Sequence, residues 1–169
     1  AGVAAEDLDL SGLLCGSEGT LGVITSADLR LTPDGRSVAT MLAVFPRLDD
    51  AVSAVVTLLG SGLLPVAVEI VDQAMLEAVE KAFAFGFPTD VEAAMILEFA
   101  GAAPETSGDA AQAADLLRRG GARDVQTAAD EAERQALWRC RKKAFGAVGR
   151  LAPSYVTMDV VVPLGRLPV

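Results

Sequence analysis

Apolar and polar residues alternate along much of the chain, and their spacing switches repeatedly between two and a helical repeat. In VITSADLRL, residues 23–31, Val23, Thr25, Ala27, Leu29 and Leu31 fall on one side, and Ile24, Ser26, Asp28 and Arg30 on the other. A period of two predicts a strand with one buried face. TPDGR at 32–36 sets Pro33, Asp34 and Gly35 in turn-favouring order. A domain boundary is expected there, separating 1–33 from 34–169. Beyond it, strands are expected at 36–45, 65–71, 93–100, 122–128 and 155–163. The helices between them are one capped by Asp49 or Asp50 and running to Leu59, one capped by Asp72 and running to about Phe85, one from Ser107 to Gly120-Gly121, and the longest over 130–148. Two folds fit this order: a doubly wound parallel sheet, or an α+β sheet of split βαβ units with helices on one face. The strands mostly alternate faces rather than forming solid apolar runs, although AAMILEFA at 93–100 is less clear. That favours the α+β sheet. The closing PLGRLPV reads as the lead-in to another helix, so the chain is expected to be a fragment of a longer protein.

Composition narrows the function. The chain has 169 residues, of which 51% are hydrophobic and 22% charged, which fits one globular domain with a core, or one domain plus a fragment of another. No apolar run approaches the roughly 18 residues of a membrane span. The opening AGVAAEDLDL has neither the basic nor the apolar region of a secretory signal. A net charge of −9 argues against nucleic acid, which needs clustered Lys and Arg. Cys15 and Cys140 lie far apart and form no CxxC pair, which suits a reduced, cytoplasmic chain. They read as core or surface thiols. The chain contains no histidine. It therefore lacks the commonest general base and metal ligand, so either its chemistry differs or part of its site lies elsewhere.

Two stretches carry candidate chemistry. GSEGTLGVIT, residues 16–25, has glycines at 16, 19 and 22 and precedes a strand. It is neither a P-loop nor a Rossmann fingerprint, because both of those precede a helix. The glycines can let backbone approach a flat ligand, or they can simply make a tight strand-entry turn. In the long helix, Leu137, Trp138, Arg141, Ala144, Phe145 and Val148 share one face. Arg141 is the one charge among them and needs an acidic partner or a carboxylate ligand. Glu69 and Asp159, each interrupting an apolar strand, are internal candidates, and a snorkelling stem is the other plain reading. Glu131, Glu133 and Arg134 read as a solvated helix start, and Tyr155 as a half-buried strand tyrosine.

GSEGTLGVIT (16–25), VEIVDQAML (68–76), DEAERQALWRCRKKAFGAVGRLAPSY (130–155) and MDVVVPLGRLP (158–168) together resemble the FAD-linked oxidases of the vanillyl-alcohol-oxidase type, on the branch of the glycolate oxidase flavin subunit and the D-lactate dehydrogenases. The resemblance covers nearly the whole chain. It implies that 1–33 is the tail of an FAD-binding domain and that 34–169 is the cap, or substrate, domain, truncated at its C-terminal end. The fold implied is α+β, a sheet of split βαβ (ferredoxin-like) units flanked by helices. By motif, Glu18, Gly19, Gly22 and Ile24 are implied FAD neighbours, and Arg141 of W-x-x-R is implied to hold a substrate carboxylate, with Glu69 near it. Relatives acting on 2-hydroxyglutarate carry Thr and Lys where this chain has Phe145 and Thr157, which points to a small monocarboxylate. The activity implied for the whole protein is oxidation of a small 2-hydroxy acid, glycolate or D-lactate, by hydride transfer to FAD. The histidines and acidic residue that bind a divalent metal or take the hydroxyl proton in relatives fall outside this chain, so the piece alone is expected to be inactive. Glycolate-oxidase-type flavin subunits also imply partner subunits. The alternatives are a non-catalytic module that binds a partner or a small acid, and an FAD-linked oxidase of a different alcohol.

Overall fold

The computed structural model describes residues 9–31, 37–152, 154–163 and 166. The chain divides into two compact units, Ala1–Asp34 and Gly35–Val169. The turn expected at 32–36 lies outside the described residues, as does most of the lead-in at 163–169.

In the first unit, Leu10–Leu14 forms a short helix, α1, capped by Asp9, whose carboxylate accepts from the Gly12 N–H at 2.9 Å. The strand expected over 23–31 does not form, and Val23, Leu29 and Leu31 are exposed. Alternation prepares a strand but does not pair it: with no neighbouring strand among the described residues, the backbone groups have no ladder to join.

The second unit is an α+β fold. Its strands are β1 (Ser37–Phe45), β2 (Ala67–Asp72), β3 (Ala93–Gly101) and β4 (Asp124–Thr127). They form one sheet in the order β2-β3-β1-β4, antiparallel at every neighbouring pair. β1 and β2 run parallel with β3 between them, and β3 and β4 run parallel with β1 between them. These are two interleaved split βαβ units, and the doubly wound parallel sheet is excluded. Their crossover helices are α2 (Leu48–Gly60) and α4 (Ala103–Arg119). Both cover one face, burying Met41, Ala43, Phe45, Met95, Leu97 and Phe99 against Ala51, Leu58, Ala113 and Leu117. Burial of each such large apolar side chain contributes about 1.5–3 kcal/mol. β3 is ambiguous in sequence because it is central and covered on both faces, with residues 93–99 all buried.

The opposite face carries a second helical layer that the split units alone do not supply. α3 (Gln73–Phe83) lies against Val44, Val71 and Ala94 through Leu76. α5 (Glu131–Leu151) packs along α3, with Cys140, Ala144 and Ala147 meeting Met75, Ala78, Val79 and Phe83. Arg150 Nη1 donates to the Ala82 carbonyl at 2.7 Å, and Lys143 and Arg150 both sit over the Phe83 ring. These contacts fasten the far end of α5 to the exit of α3.

The caps show where local signals succeed and fail. Asp72 caps α3, accepting from Met75 N–H at 2.8 Å, and Asp130 caps α5, accepting from Glu133 N–H at 2.9 Å. Glu133 reaches back to the Ala129 N–H at 2.8 Å, close to a capping box. α2 instead begins after Arg47, with Asp49 and Asp50 in its first turn, and the Leu48 N–H is taken by Glu92 at 2.9 Å. α4 begins a turn before Ser107, at Ala103, with Pro104 opening it. The last expected strand, 155–163, is not a strand. Val156, Met158, Val160 and Val161 are exposed, and no described strand pairs with them. Tyr155 is correspondingly exposed rather than half-buried in a strand.

Ala84 ends α3 in the left-handed region, at φ 52°. A side chain there is strained, and glycine is not. Ala84→Gly should raise the unfolding free energy by about 0.5–1 kcal/mol, read by chemical denaturation. A loss of stability would show that the helix does not end in this turn.

Candidate functional site

The site grows from two carboxylates on the face of the sheet that α5 crosses. Glu98 sits on β3 opposite Thr40 of β1 and Ala67 of β2. Glu69, two residues along β2 from Ala67, shares that face, and such diagonal neighbours lie roughly 7–8 Å apart. Both interrupt apolar strands, so both must find donors.

Glu98 is buried, with 8% of its surface exposed. Its carboxylate accepts from Thr40 Oγ1 at 2.6 Å, Arg134 Nε at 3.0 Å, Arg134 Nη2 at 3.1 Å and Trp138 Nε1 at 2.7 Å. The arginine grips it with two parallel bonds, the strong charge-assisted geometry. Burial pushes the Glu98 carboxyl up, but the bonds from Arg134, Thr40 and Trp138 and the guanidinium charge outweigh it and hold it below its ordinary 4.5. Arg134 also reaches Glu131 at 3.1 Å. It is therefore not part of a solvated helix start; it faces the sheet. It was missed because neighbouring Glu131 and Glu133 gave the segment a surface composition. Its spacing was the available signal: Arg134, Trp138, Arg141 and Phe145 stand at i, i+4, i+7 and i+11, one stripe. The lone charge in AAMILEFA, Glu98, was its unread counterpart.

Arg141, three residues beyond Trp138, donates from Nε to Glu69 Oε1 at 3.0 Å. Of its two expected internal partners, Glu69 is the one engaged, while Asp159 is exposed and makes no ion pair among the described residues. Arg141 is not on the deeply buried face. That face, Cys140 and Ala147, lies nearly a third of a turn away, because α5 packs on α3 rather than flat on the sheet. Side-chain exposure is 46% for Arg141 and 34% for Glu69, so the pair faces solvent and contributes at most about 1 kcal/mol. Nη1 and Nη2 of Arg141 donate to no described residue.

Beside the pair lies a groove of about 390 Å³ walled by four elements: Leu48 of α2, Glu69, Ile70 and Val71 of β2, Met75 of α3, and Ala144 and Phe145 of α5, with Asp72 at the β2–α3 junction. Its wall is mostly apolar, with the Arg141 cation at its rim. A second groove, of about 410 Å³, runs along α5 between Arg134, Gln135, Trp138, Arg139 and Lys142. One helix lines it, and its Arg134 is already committed to Glu98 and Glu131. The first has the concavity and convergent polar groups of a small-molecule site.

The first unit holds the other candidates. In 16–25 the backbone is turned by bonds from Ser17 N–H to Leu14 O and from Thr20 N–H to Ser17 O, at 3.2 and 2.9 Å. Gly16, Glu18 and Gly19 have φ of 78°, 50° and 81°, and a Cβ built at Gly16, Gly19 or Gly22 meets nothing within 4 Å. Glu18, Gly19, Gly22 and Ile24 are all exposed, and their N–H groups bond to no described residue. A bare backbone with unused donors fits a flat, oxygen-rich ligand such as FAD. Arg141 and Glu69 belong to the other unit. Among the described residues, no group of three or more Cys, Asp or Glu side chains is arranged to hold a metal ion, and no helix is long and apolar enough to cross a membrane.

Cys140 is buried, and its thiol is pushed up to about 11 by burial and by the charge of Glu80. Cys15 is exposed. At pH 8 an alkylating probe should label Cys15 rapidly and Cys140 only on unfolding, as mass spectrometry of the labelled peptides will read. Rapid labelling of Cys140 would contradict the α3–α5 packing.

The depressed Glu98 titration sets a second expectation. Its contribution to stability is complete above the ordinary value of 4.5 and is lost as pH falls through the lower folded value. Glu98→Gln should cost about 2 kcal/mol at neutral pH and flatten the acid side of the stability profile. An unchanged acid limb would place the titration elsewhere.

Residues 35–169 match the C-terminal domain of the FAD linked oxidases. The chain is 38% identical over 160 residues to glycolate oxidase subunit GlcD of Escherichia coli strain K12, covering 95% of this chain and 32% of the relative. It is 34% identical over 167 residues to a probable mitochondrial D-lactate dehydrogenase of Danio rerio, covering 97% and 33%. It thus spans about a third of the length of these curated relatives. Among solved structures, an alkyldihydroxyacetonephosphate synthase superposes with a TM-score of 0.59 at 20% identity, over 86% of this chain and 30% of that one. That likeness shows the shared fold alone.

Proposed function

The chain belongs to the FAD-linked oxidases through their C-terminal domain, and on that premise we propose that it is the substrate-holding part of a longer FAD-dependent oxidoreductase that oxidises a small 2-hydroxy acid, glycolate or D-lactate. In this reading, 1–33 is the tail of the FAD-binding domain and 34–169 the cap domain. The observation that carries it is Arg141: a guanidinium oriented through one N–H by Glu69, with both Nη groups left over, at the rim of a mostly apolar groove. The likeness to glycolate oxidase and D-lactate dehydrogenase sequences supports the same substrate class.

A substrate carboxylate meets Arg141 end-on, accepting from Nη1 and Nη2. Glu69 fixes the plane of the guanidinium, so the α-carbon is presented in one orientation. Glu69 Oε2 accepts no bond from a described residue and is free to receive the substrate hydroxyl. Ile70, Val71, Met75 and Phe145 offer no cation to a second carboxylate, and Glu69 and Asp72 repel one. That suits a monocarboxylate. FAD, when bound, supplies the acceptor for the hydrogen leaving the α-carbon, and Glu18, Gly19, Gly22 and Ile24 are the residues proposed to lie against it. Divalent-metal chemistry, where the whole protein uses it, falls to residues outside this chain. Two free thiols suit a cytoplasmic setting, and the GlcD likeness suits a subunit with partners.

The test is anaerobic flavin absorbance of the full-length protein, before and after glycolate, D-lactate or L-lactate. Bleaching by one of them is the expected result. A bound flavin that none of them bleaches overturns the substrate class, and absence of flavin favours a non-catalytic binding module. In the active protein, Arg141→Ala should cut kcat/KM at least tenfold, about 1.4 kcal/mol. Unchanged kinetics would remove Arg141 from the site.

A further inference from the structure

We propose that Glu98 is a positioning residue for Arg141: by gripping Arg134 and Trp138 it fixes the rotation of α5 about its own axis, and so delivers the Arg141 guanidinium to Glu69 and the groove.

α5 is held in two unlike ways. Its apolar packing is against α3, through small residues, Cys140, Ala144 and Ala147. Small side chains against a neighbouring helix set a distance well but a rotation poorly. Towards the sheet the hydrogen bonds of α5 are polar and come from one stripe: Arg134 and Trp138 to Glu98, and Arg141 to Glu69. The two attachments differ in kind. Glu98 is buried, receives four bonds, one from the strand beside it, and grips Arg134 in a planar fork. Glu69 accepts one bond, from a half-exposed arginine. A rotation of one residue about a helix axis is 100°, and it carries every side chain of the stripe away together. The buried clasp sets the rotation at the near end, with the Phe83 contacts of Lys143 and Arg150 holding the far end, and Arg141 lies between them, seven residues, two turns, beyond Arg134. Trp138 bonds Glu98 as well, so the clasp spans more than one turn and resists tilting too. Nothing in the groove itself supplies that constraint.

The effect on substrate rests on the proposed role of Arg141, but the positioning itself does not, and the experiment separates them. In this chain, the Arg141 Nε–H, assigned by its loss in Arg141→Lys, should exchange slowly because it donates to Glu69. Glu98→Gln should speed that exchange about tenfold or more, and Trp138→Phe, which keeps the packing and drops one donor, should do so partially. Thr40→Ser, which keeps the hydroxyl on Glu98, should leave it unchanged. If Arg141 Nε–H exchange is unaltered in Glu98→Gln and in Trp138→Phe, the clasp is only a stabilising contact and the proposal is overturned. In the full-length flavoprotein, Glu98→Gln should raise KM for the hydroxy acid about tenfold and leave kcat within about threefold. Faster Nε–H exchange with an unchanged KM would support the positioning and overturn the substrate role of Arg141 instead.

Discussion

A carboxylate on a central strand, beneath a helix, must be satisfied or it unfolds the sheet around it. Glu98 meets that constraint with four hydrogen bonds from three residues, on β1 and α5. Desolvation works against the charge, and the donors win, so the group stays ionised. Such an arrangement is weak evidence of net stability, since a well-packed apolar group of the same shape can do as well. What it does impose is geometry. An apolar patch lets a helix slide and roll, whereas a forked guanidinium on a buried carboxylate accepts one orientation.

The rest of the second unit divides the labour around that point. The face under α2 and α4 is plain apolar core and gives the sheet its stability. The other face is reserved for placement. α3 provides a rail for α5, the Phe83 cluster holds one end, and Glu98 holds the other. Between these fixed ends sits Arg141, restrained by one bond and still able to offer two donors. The proposed grip on a small anion would suit this balance: a two-bond fork to Glu69 would compete with substrate, and an unrestrained arginine would have to be ordered at each binding event. In the first unit the turn of 16–25 leaves the N–H groups of Glu18, Gly19, Gly22 and Ile24 unbonded to any described residue.

Much of this was legible in the chain. The alternation of β1 and β2, the helix cap at Asp72, and the glycines ending α4 each marked an element by local chemistry alone. The α+β choice followed from faces that alternate. Arg141 stood out as a charge on an apolar stripe, and Glu69 as a charge in an apolar strand, and they proved to be partners. Three features were not legible for physical reasons. Residues 23–31 and 155–163 have strand patterning, but pairing is a non-local property that pattern cannot supply. Arg134 was masked by acidic neighbours that belong to the cap of α5. The rotation of α5 onto α3 depended on small residues, Ala144 and Ala147, whose burial comes from close helix approach and leaves little trace in hydrophobic periodicity.

Trp138 is the one tryptophan of the chain, so its indole N–H gives a single, unambiguous proton resonance. Whether Glu98 holds α5 is read from that resonance across pH, in the native chain and in Glu98→Gln. The indole proton is expected downfield and slowly exchanging, holding its position from neutral pH to below 4.5 and then shifting as Glu98 takes a proton, with the shift absent in Glu98→Gln. An indole proton that exchanges freely at neutral pH, or that titrates identically in the variant, would mean that Glu98 does not hold α5.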